Sequence, residues 1–195
     1  MFKVVLPVLV AWLILGIAFQ SKDEFWLLFP IVQGGLLLYA WWKARPSLGA
    51  PKAQQIFLAV VSGVFLYGLF AFGKTVVLSM APTLFEELGA LYGLIQPKTI
   101  WHTLLVFVLI IPAEEWFWRG FVQSSLPGSS VFRIGVAVTL YAAAHIASGS
   151  LLLVAAALVA GLFWGILYEY TQSLLPALIS HWIFDLFFFL LFPLL

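Results

Sequence analysis

The sequence contains no cysteine and little charge. Its 195 residues include eight acidic and nine basic side chains, which give a net charge of +1. Without cysteine the chain has no disulfide, no thiolate metal site and no cysteine nucleophile. It also lacks a basic run and a glycine-rich phosphate-binding motif, so we expect no nucleic-acid partner. No internal repeat of the kind typical of transporters is present.

Hydrophobic residues, in contrast, make up 64% of the chain, and the mean hydropathy is +1.12. Charged residues make up only 9%, whereas soluble domains contain about 25%. This composition predicts an all-α fold, a polytopic transmembrane helical bundle in the cell membrane, with residues 1–195 forming a single domain. The length suits about seven spans of ~20 residues each.

The apolar runs place the seven spans at about residues 2–19, 25–42, 56–72, 100–121, 131–147, 151–168 and 174–191. The loop from Lys43 to Lys52 is the most basic, so the positive-inside rule places it and the N-terminus in the cytoplasm. Residues 75–98 are apolar but are interrupted by Pro82, Glu86 and Glu87, and they predict an interfacial or re-entrant helix pair. A full span here would raise the number to eight and invert the topology downstream.

Two local patterns inside the spans predict helix shape and packing. Pro112 removes a backbone hydrogen bond and predicts a kink in the fourth span. Gly161 and Gly165 have the small-xxx-small spacing that lets two membrane helices approach closely.

Three charged residues, Glu114, Glu115 and Arg119, lie together in the fourth span. A charged side chain at bilayer depth costs roughly 2.5–3.5 kcal/mol, so these charges require compensation. Glu115 and Arg119 are four residues apart, with the acid first, and are predicted to pair on one helix face. Glu114 lies about 100° around the helix, where it can face a different neighbour and accept a proton. The alternative is that all three side chains snorkel to the lipid headgroups.

Later spans add His145, His181 and Asp185, whereas the interiors of the first three spans contain no ionisable residue. Ionisable side chains inside a membrane satisfy one another only if their helices converge. We therefore interpret residues 1–98 as scaffold spans plus an interfacial segment, and residues 99–192 as a catalytic core. His181 and Asp185 are four residues apart and share a helix face, which places Asp185 either to orient His181 or to raise its basicity.

One carboxylate and two histidines form a set that activates water. Glu114 is the candidate general base, while one histidine holds the water and the other stabilises an oxyanion. The glutamate and both histidines are also a possible zinc ligand set, and Ser148, Ser150 and Ser180 are possible nucleophiles, although no motif supports either use. Interhelical hydrogen bonding, a proton-coupled transporter or a non-catalytic peptide-binding immunity protein would use the same residue types.

The same residues fall into three ordered motifs, which are Glu114-Glu115-x-x-x-Arg119-Gly120, Tyr141-x-x-x-His145 and Ser173-Leu174-Leu175-Pro176-Ala177-x-x-x-His181-x-x-x-Asp185. In order and spacing they resemble the motifs of the CAAX protease and bacteriocin-processing (CPBP, or Abi) family. The resemblance covers about residues 100–192. Members of that family are intramembrane glutamic endopeptidases and include the type II CAAX prenyl endopeptidases.

The resemblance implies a metal-independent peptidase without a cofactor, in which Glu114 and His145 activate water. It implies also that His181 and Asp185 stabilise the oxyanion. Glu115 is then a supporting residue, as is its ion-pair partner Arg119. The implied substrates are membrane-associated proteins or peptides that carry a prenylated C-terminus, a bacteriocin leader or a C-terminal sorting tail.

Two positions depart from the family pattern. Tyr141 replaces the usual Phe of the second motif, a mild change that keeps an aromatic ring. Asp185 replaces the usual Asn of the third motif, and an ionised Asp accepts hydrogen bonds but cannot donate one to an oxyanion. Asp185 is therefore either protonated in a buried site or serves only to orient His181.

Overall fold

The computed structural model describes residues 2–49, 52–81 and 84–195, apart from the side chains of Phe2 and Met80. Within these ranges the chain folds into eight helices. They are α1 (Phe2–Gln20), α2 (Phe25–Lys43), α3 (Ala53–Met80), α4 (Leu84–Ile95), α5 (Ile100–Gln123), α6 (Ser130–Ala144), α7 (Leu151–Thr171) and α8 (Leu174–Leu191). Short 3₁₀ turns precede α2 at Lys22–Glu24 and follow α6 at Ile146–Ser148. The predicted all-α helical bundle is confirmed.

Seven of the eight helices in the described ranges are long and apolar enough to cross a membrane, and α4 is the exception. Helix α4 has 12 residues and extends about 18 Å, whereas the hydrocarbon core of a bilayer is about 30 Å thick. The prediction of seven spans is therefore confirmed for the described part of the chain. The protein is a multi-pass membrane protein.

Helix α3 is longer than predicted, because it continues through Gly73 and Lys74 to Met80. The residues after Lys74 are mostly apolar and include no Pro before position 82, so no helix-stop signal acts there. The predicted helix pair over residues 75–98 is accordingly wrong in its first half, which completes α3, while the second half forms α4. Pro82, which we expected to interrupt this segment, and residues 50–51 of the basic loop lie outside the described residues.

Helix α5 departs from regular α-helical geometry on both sides of Pro112, with π-helical turns at Leu105–Ile110 and Glu115–Gln123. The Ile111 N–H donates to the Val106 carbonyl, five residues back. This wider turn makes room for the proline ring, which would contact the carbonyl four residues back in a regular helix. The disturbance predicted at Pro112 therefore takes the form of π-helical turns.

Close helix contacts in the bundle depend on small residues. A Cβ added to Gly63 of α3 would lie 2.6 Å from the Ser180 carbonyl oxygen of α8, and the Ser62 hydroxyl donates to the Ser180 hydroxyl over 2.9 Å. In α7, a Cβ added to Gly161 would lie 3.0 Å from the Tyr141 ring of α6. The close approach predicted from the small-xxx-small spacing of α7 is therefore confirmed.

The loop between α2 and α3 packs against one end of the bundle. The Ser47 carbonyl accepts a hydrogen bond from the Leu174 N–H over 3.0 Å, and the Leu48 carbonyl accepts one from the Ser173 hydroxyl over 3.1 Å. A Cβ added to Gly120 would lie 2.9 Å from the Pro46 ring. The end of α5 and the start of α8 are therefore covered by this loop.

Helix α4 lies at the opposite end of the bundle. Its Glu87 accepts hydrogen bonds from the Ser150 hydroxyl and the Leu152 N–H, over 2.7 and 3.0 Å, where α7 begins. Burial raises the pKa of the Tyr92 phenol, so the hydroxyl stays protonated and donates to the Phe188 carbonyl of α8 over 3.4 Å. These contacts fasten α4 to α7 and α8.

Candidate active site

Glu114 lies within α5 and is 7% exposed. Its Oε1 accepts a hydrogen bond from Nε2 of Gln33 on α2 over 3.0 Å, and its Oε2 accepts one from the Tyr141 hydroxyl on α6 over 2.8 Å. Both donors are buried. Each carboxylate oxygen keeps a second lone pair, so two neighbouring helices orient Glu114 while it can still accept a proton.

Glu115, the next residue, has a different set of partners. It is fully buried, and its Oε1 accepts from Nη1 of Arg119 over 3.2 Å and from Nδ1 of His181 over 2.9 Å. Arg119 also donates to the Gly161 carbonyl of α7 over 3.3 Å, and its guanidinium lies 4.6 Å from the centre of the Tyr141 ring. The predicted ion pair between Glu115 and Arg119 is confirmed, and it connects α5 with α7 and α8.

The His145 ring is held at the end of α6. Its Nδ1 lies 2.9 Å from the Tyr141 carbonyl oxygen and must donate there, because a carbonyl only accepts. In the neutral imidazole the proton is therefore on Nδ1, and Nε2 is left as an acceptor. The Tyr141 and Phe19 rings flank it at centroid distances of 4.8 and 5.8 Å.

His181 lies flat against the Trp164 indole, with 3.6 Å between ring centroids and 17° between ring planes. While its Nδ1 faces Glu115, its Nε2 lies 3.6 Å from Oδ2 of Asp185. The latter distance exceeds the roughly 3.2 Å limit of a good N–H···O hydrogen bond. The stacking contact with Trp164 thus holds the imidazole between the Glu115 and Asp185 side chains.

The polar side chains face a single cavity of about 490 Å³, a volume within the roughly 300–1,000 Å³ range of ligand-binding cavities. Its polar lining residues include Glu114, Tyr141, His145, His181 and Asp185. Nearly all other lining residues are aliphatic or aromatic. The site is therefore an apolar cavity with acid and imidazole groups on one part of its wall.

The structure brings all six predicted site residues together. Four of them line the cavity, and the buried pair Glu115 and Arg119 lies behind His181. Glu114, Glu115 and Arg119 are 7%, 0% and 2% exposed, so the alternative that these side chains snorkel to the headgroups is wrong. The predicted convergence of the three polar helices is confirmed.

The serine and zinc alternatives find no matching geometry in the described residues. Ser148 donates to the His145 carbonyl, Ser150 donates to Glu87, and Ser180 pairs with a serine of α3. None of these hydroxyls is hydrogen-bonded to a histidine ring. Across the described ranges, no group of three or more His, Asp and Glu side chains is arranged to hold a metal ion.

The sequence analysis missed two contributors to the site. Gln33 belongs to the part that we interpreted as scaffold, yet it hydrogen-bonds the candidate base. Gln33 carries the only side-chain amide of α2, and a buried amide requires hydrogen-bond partners. This was the signal available in the sequence. Tyr141 was treated as a mild change from Phe, but its hydroxyl donates to Glu114, so the replacement adds a polar contact to the site.

Residues 96–187 match a family model described as Rce1-like, "Type II CAAX prenyl endopeptidase Rce1-like". The match begins just before α5, ends within α8 and contains all six predicted site residues, whereas Gln33 lies outside it. No curated protein and no solved structure matches the chain significantly. Over residues 96–187 the chain is therefore similar to the Rce1-like family of type II CAAX prenyl endopeptidases.

Proposed function

We propose that the protein is an intramembrane glutamic endopeptidase, which hydrolyses a peptide bond of a membrane-associated protein or peptide without a metal ion. The observation that carries this proposal is the setting of Glu114. Its carboxylate is oriented by hydrogen bonds from Gln33 and Tyr141, and it lines the same cavity as His145 and His181. A carboxylate and an imidazole acceptor beside one cavity are the groups that general-base hydrolysis requires.

In this mechanism, Glu114 accepts a proton from a water molecule that also donates a hydrogen bond to Nε2 of His145. The water oxygen attacks the carbonyl carbon of the substrate, and the carbonyl oxygen becomes an oxyanion. When the tetrahedral intermediate collapses, the C–N bond breaks and the leaving nitrogen takes the proton back from Glu114. The products are a new carboxyl group and a new amine, and Glu114 returns to its carboxylate form.

His181 and Asp185 are proposed to stabilise the oxyanion. His181 faces Glu115 through Nδ1 and Asp185 through Nε2. An ionised Asp185 would add an excess negative charge beside the developing oxyanion, which like-charge repulsion disfavours. A protonated Asp185 instead supplies an O–H donor, the role that the amide of Asn has at this position in the family motif.

The protonation of Asp185 predicts a specific pH dependence. Activity of the wild type should fall as the pH rises through the pKa of Asp185, because the ionised form cannot donate to the oxyanion. The variant Asp185→Asn keeps a donor at every pH, so this alkaline fall should disappear from its pH–rate profile. Asp185→Leu, which cannot donate, should be inactive throughout. The same alkaline fall in Asp185→Asn as in the wild type would show that another group titrates.

The membrane setting supports the proposed chemistry. A buried cavity excludes bulk water and strengthens the electrostatic interactions around Glu114. It also admits a substrate that the bilayer already holds through a lipid group or an apolar segment. Prenylated C-termini, peptide leaders and C-terminal sorting tails all meet this requirement.

Mapping of peptide termini tests the proposed activity. Membranes and medium are compared for cells that produce the wild type, Glu114→Gln or the control Glu86→Gln at equal protein levels. Glu86 is exposed on α4, so the control makes the same chemical change outside the site. We expect a defined set of termini with the wild type and the control that is absent with Glu114→Gln. Three identical profiles would reject the protease assignment and favour a peptide-binding protein.

A further inference from the structure

The cavity extends from the α4 end of the bundle to about its middle, where Glu114, Trp164 and His181 line it. Its lining residues from α3 fall within positions 69–78 of a helix that spans 53–80. Helix α6 contributes only Tyr141 and His145, near its end, and α1 contributes only Phe19, near its end. All of these positions are in the half of the bundle that faces α4, and α4 itself lines the cavity. Most of the cavity wall therefore belongs to the α4 half of the bundle.

The opposite end of the bundle is closed beneath the site. No residue of α5 after Glu114 lines the cavity, and the following turns of α5 are buried as far as Gln123. Pro46 of the loop between α2 and α3 packs on Gly120, and the same loop is hydrogen-bonded to the start of α8. These residues of α5 and the α2–α3 loop therefore separate the cavity from this end of the bundle.

Charged residues distinguish the two ends. The end with the α2–α3 loop carries five basic residues, which are Lys3, Lys43, Arg45, Lys52 and Arg133. Its one acidic residue, Glu169, is paired with Arg133. The α4 end carries three basic and four acidic residues, which are Lys22, Lys74, Lys98, Asp23, Glu24, Glu86 and Glu87. Because Lys and Arg are enriched on the cytoplasmic side of membrane proteins, the loop end is the cytoplasmic one.

We propose that the cavity opens toward the non-cytoplasmic face of the membrane and accepts the apolar membrane segment of a protein that has been exported across it. The choice of occupant follows from the lining, which is aliphatic and aromatic apart from the polar groups around Glu114 and from Lys74. An apolar segment that spans the bilayer matches such a lining. A lipid-modified protein of the cytoplasm would meet the closed end instead. The substrate part of this inference rests on the proposed function, whereas the orientation of the cavity does not.

Cysteine labelling tests the orientation directly, because the natural chain contains no cysteine and each introduced cysteine is the only one. Lys98→Cys reports on the α4 end, and Ser47→Cys reports on the α2–α3 loop, since both positions are exposed. Intact cells that produce either variant are treated with a membrane-impermeant sulfonated maleimide. We expect Lys98→Cys to be labelled in intact cells and Ser47→Cys to be labelled only after permeabilisation. Labelling of both after detergent solubilisation verifies that each cysteine is reactive.

The reverse labelling pattern would overturn the proposed orientation. Labelling requires no activity, so the reverse pattern would not by itself reject the proposed function. That function would stand if termini that depend on Glu114 are still found. The identity of those termini tests the occupant. We expect the Glu114-dependent termini in exported proteins with a membrane-spanning tail. Their location in cytoplasmic proteins with lipidated C-termini would overturn the proposed occupant. A complete absence of such termini alongside the expected labelling would reject the proposed function and, with it, the proposed occupant.

Discussion

Glu114 and Glu115 are adjacent in sequence but have separate surroundings, because consecutive residues of a helix point in different directions. Glu115 pairs with Arg119, whereas Glu114 receives hydrogen bonds, among the described residues, from the neutral groups of Gln33 and Tyr141. A buried carboxylate beside a cation is far less costly than an unpaired one. The supporting ion pair and the candidate base are therefore distinct groups, although they share one stretch of α5.

Gln33 is a positioning residue for Glu114, and its removal should slow the reaction. Gln33→Leu deletes one hydrogen bond to a charged group, which is worth about 1.5–3 kcal/mol, so kcat should fall about 10- to 100-fold with little change in KM. Steady-state hydrolysis of a cleaved peptide in lipid vesicles measures both constants.

Gln20→Leu is the matched control for this change. Gln20 also makes one hydrogen bond, to the Ala147 carbonyl, but it is exposed and does not contact Glu114. Its kcat should equal that of the wild type. A wild-type kcat for Gln33→Leu would mean that Gln33 has only a packing role.

At this scale the sequence predicted charged contacts better than neutral ones. The pair of Glu115 and Arg119 follows from their four-residue spacing on one helix, which is a local property. The bond between Gln33 and Glu114 joins residues 81 positions apart, and neither residue carries a signal of the other. Such contacts depend on how whole helices pack, which helical spacing alone does not determine.

At the scale of helices, the position of α8 depends on its close contact with α3. A Cβ added to Gly63 would lie 2.6 Å from the Ser180 carbonyl oxygen and 2.9 Å from Cβ of Ile183. Backbone atoms cannot move aside as a flexible side chain can, so any larger residue at position 63 must push the two helices apart. Because α8 carries His181, this contact also places a histidine of the site.

Gly63→Ala should therefore destabilise the protein and lower its activity. Overpacking of this kind costs about 1–3 kcal/mol, which thermal unfolding in detergent measures as a lower transition temperature. Gly68→Ala is the control on the same helix, because a Cβ there meets nothing within 4 Å, and it should be neutral or stabilising by up to roughly 1 kcal/mol. Equal transition temperatures for both variants would contradict the proposed close contact.

The helices themselves were largely predictable from the sequence, because long apolar runs between polar turns determine where spans lie. The end of α3 was not, since a helix that leaves the membrane can continue when no Pro or capping residue stops it. The π-helical turns of α5 were also not predicted. Pro112 indicates that the helix must deform, but the form of the deformation depends on the neighbouring helices.

At the scale of the whole molecule, six ionisable residues on three helices predicted a shared site, because isolated charges inside a membrane are costly. The cavity was beyond prediction, since its wall combines residues from all eight described helices. The interpretation of residues 1–98 as scaffold remains a prediction, and the Gln33 contact shows that this part also reaches the site. The family match covers only residues 96–187, so the contribution of α2 is visible only in the folded chain.

The hydrolysis rate of purified Glu114→Gln tests the central role of Glu114 most directly. A peptide identified by the mapping of termini is presented in lipid vesicles to the wild type, to Glu114→Gln and to Glu86→Gln. Loss of a general base should lower kcat about 10²- to 10⁴-fold, while binding of the uncut peptide stays within about threefold because the cavity wall is unchanged. Cleavage by Glu114→Gln at the rate of the wild type and the control would contradict the assignment of Glu114 as the catalytic base.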